Sequence, residues 1–348
     1  MAQKKALVTG IRGQDGAYLA QFLLDQGYEV FGGDRRNSEQ VNWRLVELNI
    51  HDRINYRYFD LCELTNIMNV IETIQPDEIY NLGAQSFVSS SFEQPLVTAN
   101  VDALGALRIL EAIRIFSPKS KFYQASTSEM FGKVRESPQS ETTPFHPRSP
   151  YGVAKLFAHG ATVNYRESYG LYCCSGILFN HESPLRGVEF VTRKITSHVA
   201  KIKYGLQDKI VLGNLDAKRD WGFAKDYVEL MWKMLQQPEA DDYVIATGET
   251  HTVRKFVEKS FACAGYELDW QGQGADEKGY DKKSGKLLVE VSPEFYRPAE
   301  VELLLGNPDK AKKLLDWKPR VGFEELVAMM VEADLKRVAR DKKLGINI

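Results

Sequence analysis

No run of apolar residues in this chain approaches the roughly 18 that a membrane-spanning helix requires, so a protein embedded in a bilayer is the wrong class. Charge of one sign is missing too. The 45 Lys and Arg stand against 47 Asp and Glu, a net charge of -2, which leaves no global field to hold nucleic acid or an anionic surface; any phosphate must be bound locally. Cysteine is scarce: Cys62, Cys173, Cys174 and Cys263 have no zinc or redox-pair spacing, and the adjacent two would point to opposite faces of a strand. All four are expected to be small buried residues. The six histidines include no i, i+4 pair, and no catalytic metal is expected. The first residues run into Ala6-Leu7-Val8 without the apolar region and cleavage site of a signal peptide, which makes a cytoplasmic location the expectation.

What is present is ordinary globular material, 43% apolar and 26% charged over 348 residues, enough for one large α/β domain and a smaller lobe. Apolar runs predict strands over 6–9, 28–31, 54–59, 78–81 and 121–125, and 3.6-residue periodicity predicts helices from Gly16 to Gly27 and over 64–74, 104–116 and 151–169. This β/α succession points to a Rossmann-type, doubly wound parallel sheet covered on both faces. After about Asn180 the texture becomes turn-rich, with helices over 191–204 and 326–342 and Gly-, Asp- and Lys-rich sequence between 271 and 286. The expected division is a dinucleotide domain over 1–180, also receiving about 218–248, and a mixed substrate lobe over most of 181–348.

Between the first strand and helix stands Gly10-Ile11-Arg12-Gly13-Gln14-Asp15-Gly16. Its three glycines suit in turn a tight bend, backbone approach to a pyrophosphate and close helix packing, and the helix N-terminus offers free N–H groups to the anion. Asp34 lies where an acid would hold the ribose hydroxyls of NAD, but Arg35 and Arg36 follow it and Arg12 adds a third cation. Guanidiniums suit a 2'-phosphate, so the expected cofactor is NADP, with NAD the alternative and an ordinary solvated Arg35–Arg36 pair the bland reading. Pro150 suits the first turn of a helix that puts Tyr151 and Lys155 on one face. An ammonium beside the phenol stabilises phenolate, a base for a substrate hydroxyl as hydride leaves.

These residues, with Ser126-Thr127-Ser128-Glu129 ending the preceding strand, resemble the extended short-chain dehydrogenase/reductase family. Longer strings narrow the resemblance to its GDP-mannose 4,6-dehydratases: QASTSEM at 124–130, TTPFHPRSPY at 142–151, NYRE at 164–167, ILFNHESP at 177–184, FVTRK at 190–194 and AKRDWG at 217–222. The resemblance implies a catalytic set of Thr127, Glu129, Tyr151 and Lys155. Glu129 would take the C5 proton of a 4-keto sugar and deliver a proton to the departing C6 hydroxyl, a step that an epimerase or 4-keto reductase does not need. The implied cofactor contacts are Gly10 to Gly16, Arg35, Arg36, Asp60, Leu61, Leu82, Gly83, Ala84, Gln85, Ser86, Tyr151, Lys155, His181 and Arg186. The implied GDP-sugar contacts are Ser86, Glu129, Asn180, Val191, Lys194, Leu212, Gly213, Arg219 and Arg297. The resemblance also implies a homotetramer, or a homodimer, because in this family the loop after Arg35 reaches a neighbouring subunit's cofactor site.

Five residues at three places depart from the family pattern: Arg12 where Thr is usual, Gly160-Ala161 where a Trp-Ile pair is usual, and Ser89-Ser90 where small and aliphatic residues are usual. Small residues in the catalytic helix could widen a nearby cavity, so a GDP-manno-heptose stands beside GDP-mannose as an expected substrate.

Overall fold

The computed structural model describes residues 3–36, 42–295 and 303–345. The chain divides into two compact units: Met1–Phe179 with Ala224–Gly248 and Gly306–Lys318, and Asn180–Phe223 with Glu249–Leu305 and Pro319–Ile348. The return of Gly306–Lys318 to the first unit has no local signature. It is made by contacts far apart in sequence: Asn307 N–H donates to the Gln139 carbonyl at 2.7 Å and the Trp317 indole to that of Asp226 at 3.0 Å.

The first unit is built on a parallel seven-stranded sheet. Its strands are β1 (Lys5–Thr9), β2 (Glu29–Asp34), β3 (Asn55–Tyr58), β4 (Glu78–Asn81), β5 (Lys121–Thr127) and β6 (Cys173–Leu178), with Tyr243–Ile245 outermost beside β6. The spatial order from that edge is Tyr243–Ile245, β6, β5, β4, β1, β2, β3, so the winding reverses between β1 and β4, the place where open α/β sheets bind ligands. β4 and β6 are buried along their whole length, as strands covered on both faces must be. Beneath the sheet, helices Leu64–Ile74 and Gly105–Phe116 bury Ile67, Ile71, Ile109 and Ile113 against Leu7, Ile79 and Phe122. Their apolar residues recur at helical spacing, which is why both helices were legible.

The second unit holds a four-stranded sheet ordered Leu268–Gln271, Lys278–Asp281, Leu287–Val291, Ile210–Leu212, and two short strand pairs, Asn180–Glu182 with Trp221–Phe223 and Lys218–Arg219 with His251–Thr252. The Gly-, Asp- and Lys-rich stretch, for which the sequence predicts no element, thus lies among strands: cross-strand partners supply what its composition does not advertise. Helices Val191–Lys203, Val253–Cys263 and Phe323–Lys343 close this unit's core around Trp221, Phe256 and Leu326. Buried Arg193 ties the first of them to the last, donating to Asp334 Oδ2 at 2.8 Å.

One cysteine expectation needs correcting. Cys173 and Cys174 are buried on β6, but Cys62, in the turn after β3, and Cys263, at the outer end of its helix, are exposed. Among the described residues no helix is long and apolar enough to cross a membrane.

Candidate active site

The glycine loop is held open by what a side chain would strike. Gly10 has φ +67°, and a Cβ there would lie 2.8 Å from the Gly83 nitrogen, so the turns after β1 and β4 touch backbone to backbone. At Gly16 a Cβ would lie 2.3 Å from the Gly10 carbonyl oxygen, which lets helix Gln14–Asp25 start tight against the loop. Gly13 caps that helix without a side chain, and a helix N-terminus is an end that suits anions. Thr9 braces both turns: its hydroxyl accepts from Leu82 N and Gly83 N at 3.1 and 2.9 Å and donates to Asn81 Oδ1 at 2.8 Å.

Arg12 and Asp34 meet at 3.0 Å. The other Asp34 oxygen accepts from the Arg35 N–H at 2.8 Å, so one carboxylate oxygen faces the glycine turn and the other its own loop. Arg35 and Arg36 are exposed. Asp60 is exposed and folds its turn by accepting from Cys62 N at 2.9 Å, while Leu61 is buried and its carbonyl accepts from Arg108 at 2.8 Å. Ala84 and Gln85 are half-buried and Ser86 is exposed in the loop after β4.

β5 runs to Thr127, two residues further than its apolar pattern, and Thr127 Oγ1 then accepts from Glu129 N at 3.2 Å. Opposite, helix Pro150–Tyr169 is capped by Ser149, whose hydroxyl accepts from Gly152 N at 3.0 Å, with Pro150 in its first turn. Gly152 is the residue that joins the two pieces. A Cβ there would sit 2.8 Å from the Glu129 carbonyl oxygen, so only glycine lets the first turn bearing Tyr151 rest on the turn bearing Glu129. Tyr151 and Lys155 are buried at 8% and 3% exposure, low enough that each polar group must find partners inside the protein. The Lys155 Nζ lies 5.8 Å from the centre of the Tyr151 ring and donates to the Ala125 carbonyl at 3.1 Å. Burial pushes the Lys155 ammonium below its ordinary range, against the opposing pull of Asp102.

A buried amide chain supports that carbonyl: Asn81 donates to Gln124 Oε1 at 2.8 Å, and Gln124 donates to the Ala125 oxygen at 3.1 Å. Gly152, Asp102 and this Asn81–Gln124 chain escaped the sequence reading. Only Gly152, next to the tyrosine, left a usable sign. Gly160 and Ala161 do not border the Tyr151 face: Gly160 is exposed with no atom within 4 Å of a Cβ position, and Ala161 packs on the core under the sheet. They therefore give no support to an enlarged sugar pocket.

Within the second unit, Lys194 and Gly213 converge on Phe295, and Leu212 meets Ser292 at the start of the same turn. The Lys194 Nζ lies 3.8 Å from the ring centre, a Cβ on Gly213 would lie 2.6 Å from the Phe295 carbonyl oxygen, and the Leu212 carbonyl accepts from Ser292 N at 2.8 Å. Val191 starts its helix, partly exposed, and Asn180 starts its strand. His181 is buried on that strand. Arg186 pairs with Glu182 at 3.0 Å and lies over the Phe190 ring at 3.5 Å. Arg219 is buried and donates to the Lys218 carbonyl at 2.9 Å. Arg297 lies outside the described residues. Among the described residues no group of three or more His, Cys, Asp or Glu is placed to hold a metal ion.

A doubly wound sheet, a glycine turn at its switch point and a buried Tyr151–Lys155 pair facing the end of β5 define the class of extended short-chain dehydrogenase/reductases. The family model described as GDP-mannose 4,6 dehydratase matches residues 7–330. GDP-mannose 4,6-dehydratase of Yersinia enterocolitica is 52% identical, covering 99% of this chain and 97% of its own. The human GDP-mannose 4,6 dehydratase is 54% identical over 95% of this chain and 91% of its own. Among solved structures, UDP-glucose 4-epimerase of Thermus thermophilus in complex with NAD superposes with a TM-score of 0.79 at 26% identity, covering 95% and 98% of the two chains. The chain belongs to the GDP-mannose 4,6-dehydratase family.

Proposed function

We propose that this chain is an NADP-dependent 4,6-dehydratase that converts GDP-mannose to GDP-4-keto-6-deoxymannose. A bound nicotinamide supplies the hydride acceptor at C4 and the hydride donor at C6. The cradle fits such a group: Gly10 and Gly16 leave room only for backbone, and the N-terminal end of helix Gln14–Asp25 suits a pyrophosphate. Leu82 to Ser86, Asp60, Leu61, His181 and Arg186 complete the proposed contacts. NADP is favoured over NAD because Asp34 is committed to Arg12 and the Arg35 N–H, leaving exposed Arg35 and Arg36 as the cations for a 2'-phosphate.

In this reading Tyr151 takes the C4 hydroxyl proton, with Lys155 stabilising the phenolate, and Thr127 holds the C4 oxygen. The ketone at C4 makes the C5 proton acidic. Glu129 removes it and protonates the C6 hydroxyl as it departs as water; Tyr151 then returns a proton to C5 as C6 is reduced. Atoms and electrons balance over the cycle, with one water lost and no net oxidation. Asn180, Val191, Lys194, Leu212, Gly213, Arg219, Arg297 and Ser86 are proposed to hold the GDP-sugar. A homotetramer or homodimer in the cytoplasm is the proposed setting.

The observation that carries this reading is the close seat of the Glu129 turn on the turn bearing Tyr151, made possible by Gly152. Glu129→Gln tests it. The variant should still exchange hydride at C4 but form no product lighter by one water and wash no solvent deuterium into C5; wild-type water loss in that variant would remove the dehydratase mechanism.

A further inference from the structure

Asp102 is 2% exposed and sits in a wide, π-helical turn, Ala99–Leu104, that leads into helix Gly105–Phe116. Such turns interrupt ordinary helix and often mark functional positions. One carboxylate oxygen accepts from Gln85 N at 2.7 Å. The other is buried and makes no hydrogen bond among the described residues. The π-helical turn packs on helix Pro150–Tyr169, where the charge that acts on Asp102 is Lys155. Lys155 in turn has a neutral carbonyl, that of Ala125, as its acceptor. A buried ammonium and a buried, half-satisfied carboxylate are each costly alone, and removing either leaves the other uncompensated.

We propose that Asp102 is a positioning residue for Lys155, its carboxylate supplying the counter-charge that keeps the ammonium protonated and aimed at Tyr151, so that these three residues together set the pH window of C4 oxidation. The inference rests on the Tyr151–Lys155 reading above. Burial pushes the Asp102 carboxyl up to about 6, with Lys155 and the Gln85 N–H opposing. Burial pushes Lys155 down, with Asp102 opposing. Other charges on the neighbouring elements are spoken for. Arg108 is held by the Asn100 side chain and the Leu61 carbonyl, Glu111 and Arg114 pair with each other, and Lys121 reaches the Leu235 carbonyl. Glu93 and Arg148 are exposed, Glu129 is half-buried on the turn after β5, and the Cys173 and Cys174 thiols, pushed up to about 12 by burial, stay neutral.

Asp102→Asn is the test, because an Asn oxygen can still accept from Gln85 N while the charge is gone. Removing the carboxylate destabilises the Lys155 ammonium and leaves any remaining positive charge uncompensated beside Tyr151, so both apparent pKa values fall. With NADP-loaded enzyme and GDP-mannose, both limbs of the kcat–pH profile should move to lower pH by about one unit or more, while KM for the sugar stays within about twofold of wild type. Tyr151→Phe is the control: full turnover in that variant would sink the Tyr–Lys reading itself. An inactive Tyr151→Phe together with a wild-type profile in Asp102→Asn would overturn this inference alone. Should Asp102→Asn fail to fold, adding Lys155→Met removes the uncompensated ammonium and should restore a cooperative thermal transition; no rescue would also overturn it.

Discussion

Helix Pro150–Tyr169 carries two glycines whose replacement by alanine should have opposite consequences. In a helix with room for a methyl group, Gly→Ala stabilises by about 0.5–1 kcal/mol, chiefly by restricting the unfolded chain. Gly160 meets that condition, being exposed with nothing within 4 Å of a Cβ. At Gly152 the Cβ would lie 2.8 Å from the Glu129 carbonyl oxygen and 3.1 Å from the Pro147 side chain. Comfortable contact needs about 3.5 Å, so roughly 0.7 Å must be found, and the atom in the way is backbone that cannot rotate aside. Overpacking of this kind costs about 1–3 kcal/mol, which outweighs the propensity gain. The relief moves the Tyr151 turn away from the Glu129 turn. Misplacement by 1 Å can cost on the order of 100-fold in rate, so Gly152→Ala should lose roughly 10- to 100-fold in kcat.

The assay is kcat for water loss from GDP-mannose, run beside urea denaturation of both variants. Gly160→Ala should keep wild-type kcat and unfold at higher urea; Gly152→Ala should lose kcat and unfold at lower urea. Wild-type kcat and stability in Gly152→Ala would refute the claim that backbone contact at this residue assembles the site. Equal damage at Gly160 would refute the sorting of the two faces.

Replacing Arg35 and Arg36 together by Ala should weaken NADP binding by more than about tenfold, the loss of charge-assisted phosphate contacts, and leave NAD binding nearly unchanged; equal losses by calorimetry would return both residues to the solvated surface. Thiol titration of the native protein should count two reactive cysteines, Cys62 and Cys263, and all four after unfolding, since Cys173 and Cys174 are buried with thiols pushed up to about 12. A third fast thiol would contradict the burial of β6. Burial pushes the His159 imidazole down, so its contribution to stability is present above the unfolded pKa, about 6.5, and is lost as pH falls through the lower folded value. His159→Gln should therefore show a shallower loss of stability between pH 7 and 5 in denaturant titrations; an unchanged slope would mean that the ring is solvated. Phe295 is half-exposed beside the Lys194 ammonium, and Phe295→Ala should raise KM for the GDP-sugar several-fold with kcat preserved. A fall in kcat at constant KM would place the ring elsewhere in the cycle.

The parts of the fold that were legible are those whose cause is local. Helix Leu64–Ile74 falls where the apolar period places it because both ends are marked in the chain: Glu63 accepts from Thr65 N at 3.2 Å, and Gln75 ends it in the left-handed conformation, φ 49°. The glycine turn was legible for the same reason, since spacing and flanking elements state the mechanism. Periodicity could not see that the segment read as helix from Leu104 is entered through a π-helical turn. An i→i+5 turn shifts the facing of Asp102 without altering composition, so its place opposite helix Pro150–Tyr169 is a tertiary fact. The strands over 268–291 were hidden for a related reason: their pairing is set by partners that local sequence does not name.

The proposed catalytic residues show the same division within single side chains. Thr127, Glu129, Tyr151 and Lys155 were legible through the motifs that carry the family resemblance and through the spacing that puts Tyr151 and Lys155 on one helix face. Their assembly depends on main-chain oxygens. The Ala125 carbonyl takes the Lys155 ammonium, and the Glu129 carbonyl sits where a side chain at position 152 would have to go. Carbonyls occur in every residue and carry no signature in a one-letter string. Their trace is indirect: a glycine where helix propensity would favour alanine. A residue that is locally unfavourable and adjacent to a chemically apt one is therefore the sign to follow from sequence toward an assembled site, and Gly152, beside Tyr151, is that sign here.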